Sequence, residues 1–371
     1  MSEKNLYLIN RESRITIDQL NIKSDLYTRV EVSKSISQKP MVLQDGQNSL
    51  RTISLLSESV LDNLAAAIKG LLDAGESLEV LIVERYRSNE YELLTDVKLC
   101  PIINIEYRSK NGIYCKRMNS DDLINQVSKY LLLKKSMFIE TDFIDFTNLY
   151  DIPLVFVSSA SETLSHEIFG HIFEIDNYIK YNYASVINQV SQLNLNICDN
   201  PLLLPELCLS ERDDVLNKTS LTTIFDNGIY TGELIGGSAY DKLCRRSFRR
   251  SSFLVQAIPR MSTLSVRSNR GQKENSCPRI YVQISSIKRA QITHKTMNVQ
   301  LYITNACLIC DEKKIAFVRN FTIDKPINEF LSRLEAIQNT KGDVSAVVCQ
   351  KWGQILTCGI ISDDWCYDPG R

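Results

Sequence analysis

Residues 159–176 read SASETLSHEIFGHIFEID. The chain has only three histidines, and two of them fall here as His166 and His171, with Glu167 beside the first. Scarce imidazoles gathered around a carboxylate are what a metal site needs. Neutral imidazole suits zinc, and a neighbouring carboxylate can serve as a general base. The spacing is not that of the common H-E-x-x-H zinc-protease motif, because the two histidines stand five apart. On a regular helix, positions five apart point roughly 140° away from each other, whereas positions four apart diverge by roughly 40°. Both side chains can reach one ion only if the helix widens or breaks between them. A single π-turn, with its i→i+5 bonding, brings them back to one face. Gly170 suits such a distortion because it relaxes the backbone. The spacing therefore predicts a helix from about Ser161 to Ile175, irregular at 168–171 and opened by a capping box of Ser159 and Glu162. Ser158, Ser159 and Ser161 read as helix-start residues, since no further histidine is nearby to activate a nucleophile.

Working outward, 153–157 is a short apolar strand, and 221–240 forms a hairpin turning at Asn227-Gly228. Strand-like runs follow at 253–258, 279–287, 297–309, 314–323, 344–349 and 354–361, with one helix at about 326–338. On the N-terminal side, residues 1–20 read as a polar, loosely held lead-in. Residues 27–46 read as two strands interrupted near Pro40 and ended by Asp45-Gly46. Leu56, Val60, Leu64, Ala67, Ile68 and Leu71 recur at helical spacing, predicting a helix over 53–73 with Gly75 past its end. Strands are expected at 78–87, 102–108 and 113–116, and a helix at 120–134. The class is α+β with two domains. A mixed α/β N-terminal domain (1–150) precedes a strand-rich C-terminal domain (151–371) that carries the zinc-binding helix.

A length of 371 residues fits about two domains, and 44% hydrophobic residues exclude general disorder. Lys+Arg of 43 against Asp+Glu of 44 argues against a nucleic-acid binder held by phosphate contacts. No apolar run approaches the roughly 18–20 residues of a membrane helix, and the polar start lacks a signal-peptide core. A cytoplasmic protein is expected, with no membrane and no nucleic-acid partner. Its eleven cysteines are then mostly buried thiols rather than disulfides. Cys307-x-x-Cys310 stands alone in a strand-like run. The cluster RRSFRR at 245–250 reads either as a solvated face or, through Arg249 or Arg250, as a substrate or site-ordering element. Tetrahedral zinc wants a third protein ligand. His294, Glu174, Asp176 and the cysteines are all candidates.

Several segments, in order, resemble the TldD/PmbA metalloprotease family, specifically its catalytic TldD-like branch. LSHEIFGHIFEID resembles the family's H-E-x-x-x-H segment. Asp25-Leu26-Tyr27 with Gln44-Asp45-Gly46, and the helix at 53–71, resemble its N-terminal strands and the helix after them. IFDNGIYTGEL (224–234), RRSS (249–252) and IPRM (258–261) resemble its ENG…G, RR and PRM blocks, and Cys349-Gln-Lys-Trp-Gly-Gln354 its C-G-K-x-G-Q block. The resemblance implies zinc bound by His166, His171 and Cys349, with Glu167 as general base. It also implies an extended peptide as substrate, and either a homodimer or a heterodimer with a TldE/PmbA-like subunit. The chain departs from the family in a shorter N-terminal part, in Ile172 and Ile175 where glycines are usual, and in Gln350 after the cysteine. A Gly-Gly-rich stretch is replaced by 294–314. These departures leave the ligands intact and bear on the substrate groove.

Three functions follow in order. The first is a zinc-dependent peptidase acting on unfolded peptides or on the leader of a modified peptide. The second is a dedicated hydrolase of a C–N bond in a small molecule or natural product. The third is a zinc-containing, non-catalytic binding subunit, in which a fourth protein ligand such as Glu174 or Asp176 would close the site.

Overall fold

The computed structural model describes residues 6–18, 22–33, 41–43, 58–89, 97–98, 102–109, 112–119, 124–125, 127–132, 142–203, 213–215, 217–238, 247–250, 255–269, 278–293, 295–337 and 344–370. The first part is an antiparallel sheet of β1 (Leu6–Asp18), β2 (Ile22–Ser33), β3 (Met41–Leu43), β4 (Ser77–Asn89), β6 (Ile102–Ser109) and β7 (Gly112–Asn119), in the order β3-β2-β1-β4-β6-β7. The short β5 (Val97–Lys98) also pairs with β4. Helix α1 (Glu58–Lys69) and a helical segment α2 (124–125 and 127–132) pack their apolar stripes on this sheet. Leu64, Ile68, Val127 and Leu131 meet Ile17, Val80, Ile82 and Ile105 in one cluster. Gly75 follows the α1 turn at φ +82°, a backbone that glycine adopts without penalty.

The expected N-terminal lead-in is instead β1, paired along its length with both β2 and β4. The sequence hides it because the polar run Asn10–Arg14 interrupts the two-residue alternation of apolar side chains. Pro40 and Asp45-Gly46 lie outside the described residues.

The second part contains two larger sheets. One has the order β12-β11-β10-β17-β24-β23, formed by β10 (Leu195–Asp199), β11 (Thr222–Asp226), β12 (Ile229–Tyr230), β17 (Thr263–Ser268), β23 (Val344–Lys351) and β24 (Gln354–Ser362). The other runs β22-β25-β9-β18-β19-β20-β8, with β21 also on β19. Its strands are β8 (Phe143–Ile144), β9 (Leu154–Phe156), β18 (Ile280–Thr293), β19 (Asn298–Cys310), β20 (Lys313–Val318), β21 (Phe321–Pro326), β22 (Leu334–Ile337) and β25 (Asp364–Tyr367). Two ribbons, β13 (Glu233–Leu234) with β14 (Gly237–Ser238) and β15 (Phe248–Arg249) with β16 (Ile258–Pro259), complete the strands. The hairpin at Asn227-Gly228 forms as expected, with φ values of +51° and +76° at its two turn residues.

Residues 159–176 lie in the core between these two sheets. Helix α3 (Ser159–Ser165) leads into a π-turn over His166–Gly170, then a 3-10 turn over His171–Phe173, and Glu174 breaks the helix with ψ 126°. Helix α4 (Ile175–Tyr181) then starts afresh, and α5 (Ile187–Gln192) follows. The irregularity predicted at 168–171 is thus real and begins two residues earlier. The capping box does not form. Ser158 precedes the helix at φ +51° without a side-chain cap, and Ser159 Oγ donates to the Ser285 carbonyl at 2.9 Å. Leu164, Ile168, Phe169, Ile172 and Phe173 are fully buried, and the Phe169 ring lies 5.1 Å from that of Trp365. Two further expectations change. The helix at 326–338 is only α6 (Ile327–Ser332), after which 334–337 pair with β25. In the run 253–258, the described residues 255–257 are irregular and only Ile258 is strand.

Candidate metal centre

The π-turn does what the histidine spacing demands. The rings of His166 and His171 meet edge to face, with centroids 4.7 Å apart. Cys349, near the end of β23, comes in from the neighbouring sheet, its Sγ 2.9 Å from His171 Nε2. His166, Glu167, His171 and Cys349 each offer a ligand atom within 4.8 Å of all the others, the only such group among the described residues. The two imidazoles present their remaining nitrogens to other partners. His171 Nδ1 lies 2.8 Å from Glu174 Oε2, and His166 Nδ1 lies 3.1 Å from Cys358 Sγ. A hydrogen-bonded Nδ1 leaves Nε2 of each ring directed at the common point, as ligating histidines require. Two imidazoles, a thiol and a carboxylate are also a donor set suited to a borderline-soft divalent ion.

Several residues beyond the expected four build the surroundings. Glu174 is fully buried and takes Lys351 Nζ at 2.8 Å and Asn177 Nδ2 at 3.3 Å, with Arg260 Nε at 3.8 Å. Lys351 also reaches Asp176 at 2.7 Å, and Arg260 Nη2 donates to the Cys349 carbonyl at 3.3 Å. Glu174 and Asp176 were candidate ligands; both instead hold Lys351, and neither belongs to the converging group. Sequence reasoning missed Arg260 and Lys351 as site residues, although both lie in the PRM and cysteine blocks.

Electrostatics follow from this packing. Burial lowers the His171 pKa, but the charges of Cys349, Glu174 and Glu167 outweigh it and hold it well above the ordinary value. Burial raises the Cys349 thiol, and His171 and Arg260 more than reverse that. Burial likewise opposes ionisation of Glu174, while His171, Lys351 and Arg260 keep its carboxyl far below the usual range. Glu174→Gln would leave an acceptor for His171 but remove the charge that Lys351 and Arg260 face. It is expected to weaken metal binding by about 10–100-fold, read by competition against a chromophoric chelator.

Gly170 earns its place by space rather than by backbone freedom. A Cβ there would sit 2.4 Å from Met261 Sδ and 3.3 Å from Leu264 Cδ2. Gly170→Ala is expected to push Met261 aside and destabilise the fold by about 1–3 kcal/mol, checked by chemical denaturation. The other residues singled out in the sequence lie apart from the centre or serve as supports. Ile172 is in the core, Ile175 packs against it, and neither lines the cleft, whereas Gln350 does. Arg249 and Arg250 are buried rather than solvated, and Arg249 Nη1 donates to the Met261 carbonyl at 2.9 Å. Cys307 is buried and Cys310 half-buried; three apart in a strand, they point to opposite faces. His294 lies outside the described residues.

A cleft of about 540 Å³ opens over the centre, reached by Glu167, His171 and Cys349. Its walls include Ile287–Ile292 of β18, Val347 and Cys349–Lys351 of β23, and Trp352 in the turn that follows. Consecutive residues of β18 line it where register shifts after Ile284 and Ile287 break the two-residue alternation of that strand. β23 is the terminal strand of its sheet. Beyond Ile284, no strand among the described residues pairs with the edge of β18 opposite β19.

By sequence, residues 150–355 match the PmbA/TldA metallopeptidase C-terminal domain. No curated protein matches the chain. By structure, the chain is similar to TldE from Thermococcus kodakarensis, with a TM-score of 0.62 and 12% identity over 99% of this chain and 96% of that one. It is also similar to a proposed modulator of a DNA gyrase from Thermotoga maritima, with a TM-score of 0.58 and 12% identity over 98% of this chain and 94% of that one. At such identities the likeness is one of fold. The chain spans nearly the whole length of both.

Proposed function

The chain belongs to the PmbA/TldD metallopeptidase family, and from that premise we propose that it is a zinc-dependent peptidase acting on extended, unstructured peptides. The observation that carries this reading is the convergence of His166, Glu167, His171 and Cys349 beside a cleft that the last three line together with β18 and the end of β23. His166, His171 and Cys349 would hold the ion, and a thiolate among the ligands favours zinc over harder cations. Bound zinc supplies Lewis acidity toward a water molecule and the scissile carbonyl. Glu167 takes up the proton released in the attack and passes it to the departing amine. Glu174 fixes the tautomer of His171, and Lys351 and Arg260 balance the charge of Glu174. An extended peptide laid along 287–292 of β18 would add a strand, so recognition is mainly of backbone and specificity is broad.

The small-molecule alternative calls for a closed pocket, and a cleft of about 540 Å³ running between β18 and the end of β23 favours a peptide. The non-catalytic alternative survives only if Glu167 is itself a ligand. The fold shared with TldE supports assembly with a similar subunit or with a second copy. No helix among the described residues is long and apolar enough to cross a membrane, and we place the chain in the cytoplasm. The test is elemental analysis followed by mass-spectrometric detection of cleavage of an unstructured peptide. About one zinc per chain, with cleavage lost on chelation and restored by zinc, is the expected result. A folded chain that neither holds nor takes up metal would overturn the reading.

A further inference from the structure

We propose that Trp352 forms a side-chain subsite, taking an aromatic or branched apolar residue of the substrate at the Cys349 end of the cleft. This inference rests on the peptidase reading above. Trp352 occupies the two-residue turn between β23 and β24, closed by the pair Lys351↔Gln354. Its φ is +49° and that of Gly353 is +78°. Left-handed backbone at both turn positions is natural for Asn, Asp or Gly and unfavourable for a bulky side chain. Core packing does not account for a tryptophan here, because its side chain is 57% exposed. What it does touch is the cleft, whose wall it shares with Cys349.

The indole is also held in place. Lys351 Nζ lies 5.3 Å from the ring centroid and Lys180 Nζ 5.9 Å, both within cation–π range. Lys351 is itself fixed by Glu174 and Asp176, so the ring is coupled to the residues that orient His171. A rigid aromatic at the rim of a site offers a large contact area at little entropic cost. Trp352 stands three residues beyond Cys349. Both line the same cleft, so a side chain seated on the indole stays on the metal-centre side of the substrate. The unpaired stretch of β18 would read backbone, and Trp352 adds a preference for one side chain.

The chain has two tryptophans, and the other, Trp365, is fully buried, so a change in emission on ligand binding that is absent from Trp352→Phe reports Trp352. The probes are capped ten-residue Gly/Ser/Thr peptides carrying one Phe, or one Asp, at each position in turn. They are titrated into zinc-loaded Glu167→Gln for binding and given to the wild type for cleavage. The expected result is about tenfold tighter binding of the Phe peptides than of the parent, with a blue shift in emission. Cleavage should fall at one fixed offset from the Phe, whichever position carries it. In the Glu167→Gln background, Trp352→Ala should erase the preference and Trp352→Phe should keep most of it, both with unchanged metal content. Cleavage without a Phe preference, a preference that survives Trp352→Ala, or tighter binding of Asp peptides through the two lysines overturns the subsite and leaves the peptidase reading standing. A zinc-loaded wild type that cleaves no peptide overturns both.

Discussion

Exchanging Glu167 for glutamine is expected to leave the metal content unchanged and to lower kcat by a factor of about 10²–10⁴. The substitution keeps the size and hydrogen-bonding shape of the side chain and removes its capacity to accept a full proton. Glu167 lies in the π-turn between two candidate ligands and reaches the same point in space as they do. Two roles are therefore open to it geometrically, and the substitution separates them. A general base contributes nothing to holding the ion, so zinc stays while turnover falls. A fourth ligand would be missed by the ion, and metal affinity would fall along with any activity. Metal content and single-turnover cleavage measured on one preparation decide the matter. Loss of zinc in Glu167→Gln would move the chain to the closed, non-catalytic kind of site.

Cys349→Ala is expected to reduce bound zinc from about one per chain to near zero and to abolish cleavage, the largest effect of any single exchange. The thiol is the only donor of the group that comes from a strand, so an ion held there would tie the helical segment to β23. His171 and Arg260 favour its ionised form, which is the form that ligates. The fold itself should survive, because the removed sulfur lies at the cleft and not in the apolar core. Circular dichroism and the unfolding midpoint of the metal-free proteins check that point. Cys358→Ser is the matched control. It touches His166 through a side chain that serine can mimic, and it should retain most of the metal.

The sequence made the histidine pair legible for a simple reason. A period of 3.6 residues forbids convergence at a spacing of five, so the distortion could be predicted from the numbering alone. The third ligand could not. Cys349 lies 178 positions from His171, in an apolar run where burial explains a cysteine equally well, and only the family resemblance singled it out. Glu174, Arg260 and Lys351 show the same limit. Their roles come from tertiary contacts across three separate elements, which no local pattern encodes. Gly170 was noticed for the right position and the wrong cause, since crowding by Met261 is visible only after folding. Short apolar runs failed in the usual direction: Leu334–Ile337 continues the periodicity of α6 and nevertheless joins a sheet edge.

The stretch of β18 beyond Ile284, which no described strand pairs opposite β19, has a consequence for solubility. An edge available to a substrate chain is equally available to another copy of the protein, and such edges seed aggregation. Register shifts after Ile284 and Ile287 break the flatness of β18 where it passes the cleft, and the exposed Lys288 and Arg289 put charge there. Both features discourage a long, flat strand from docking while leaving room for a short peptide. Selectivity and colloidal stability are thus written into the same few residues. Any redesign of 287–292 toward greasier substrates would draw down the protection against self-association.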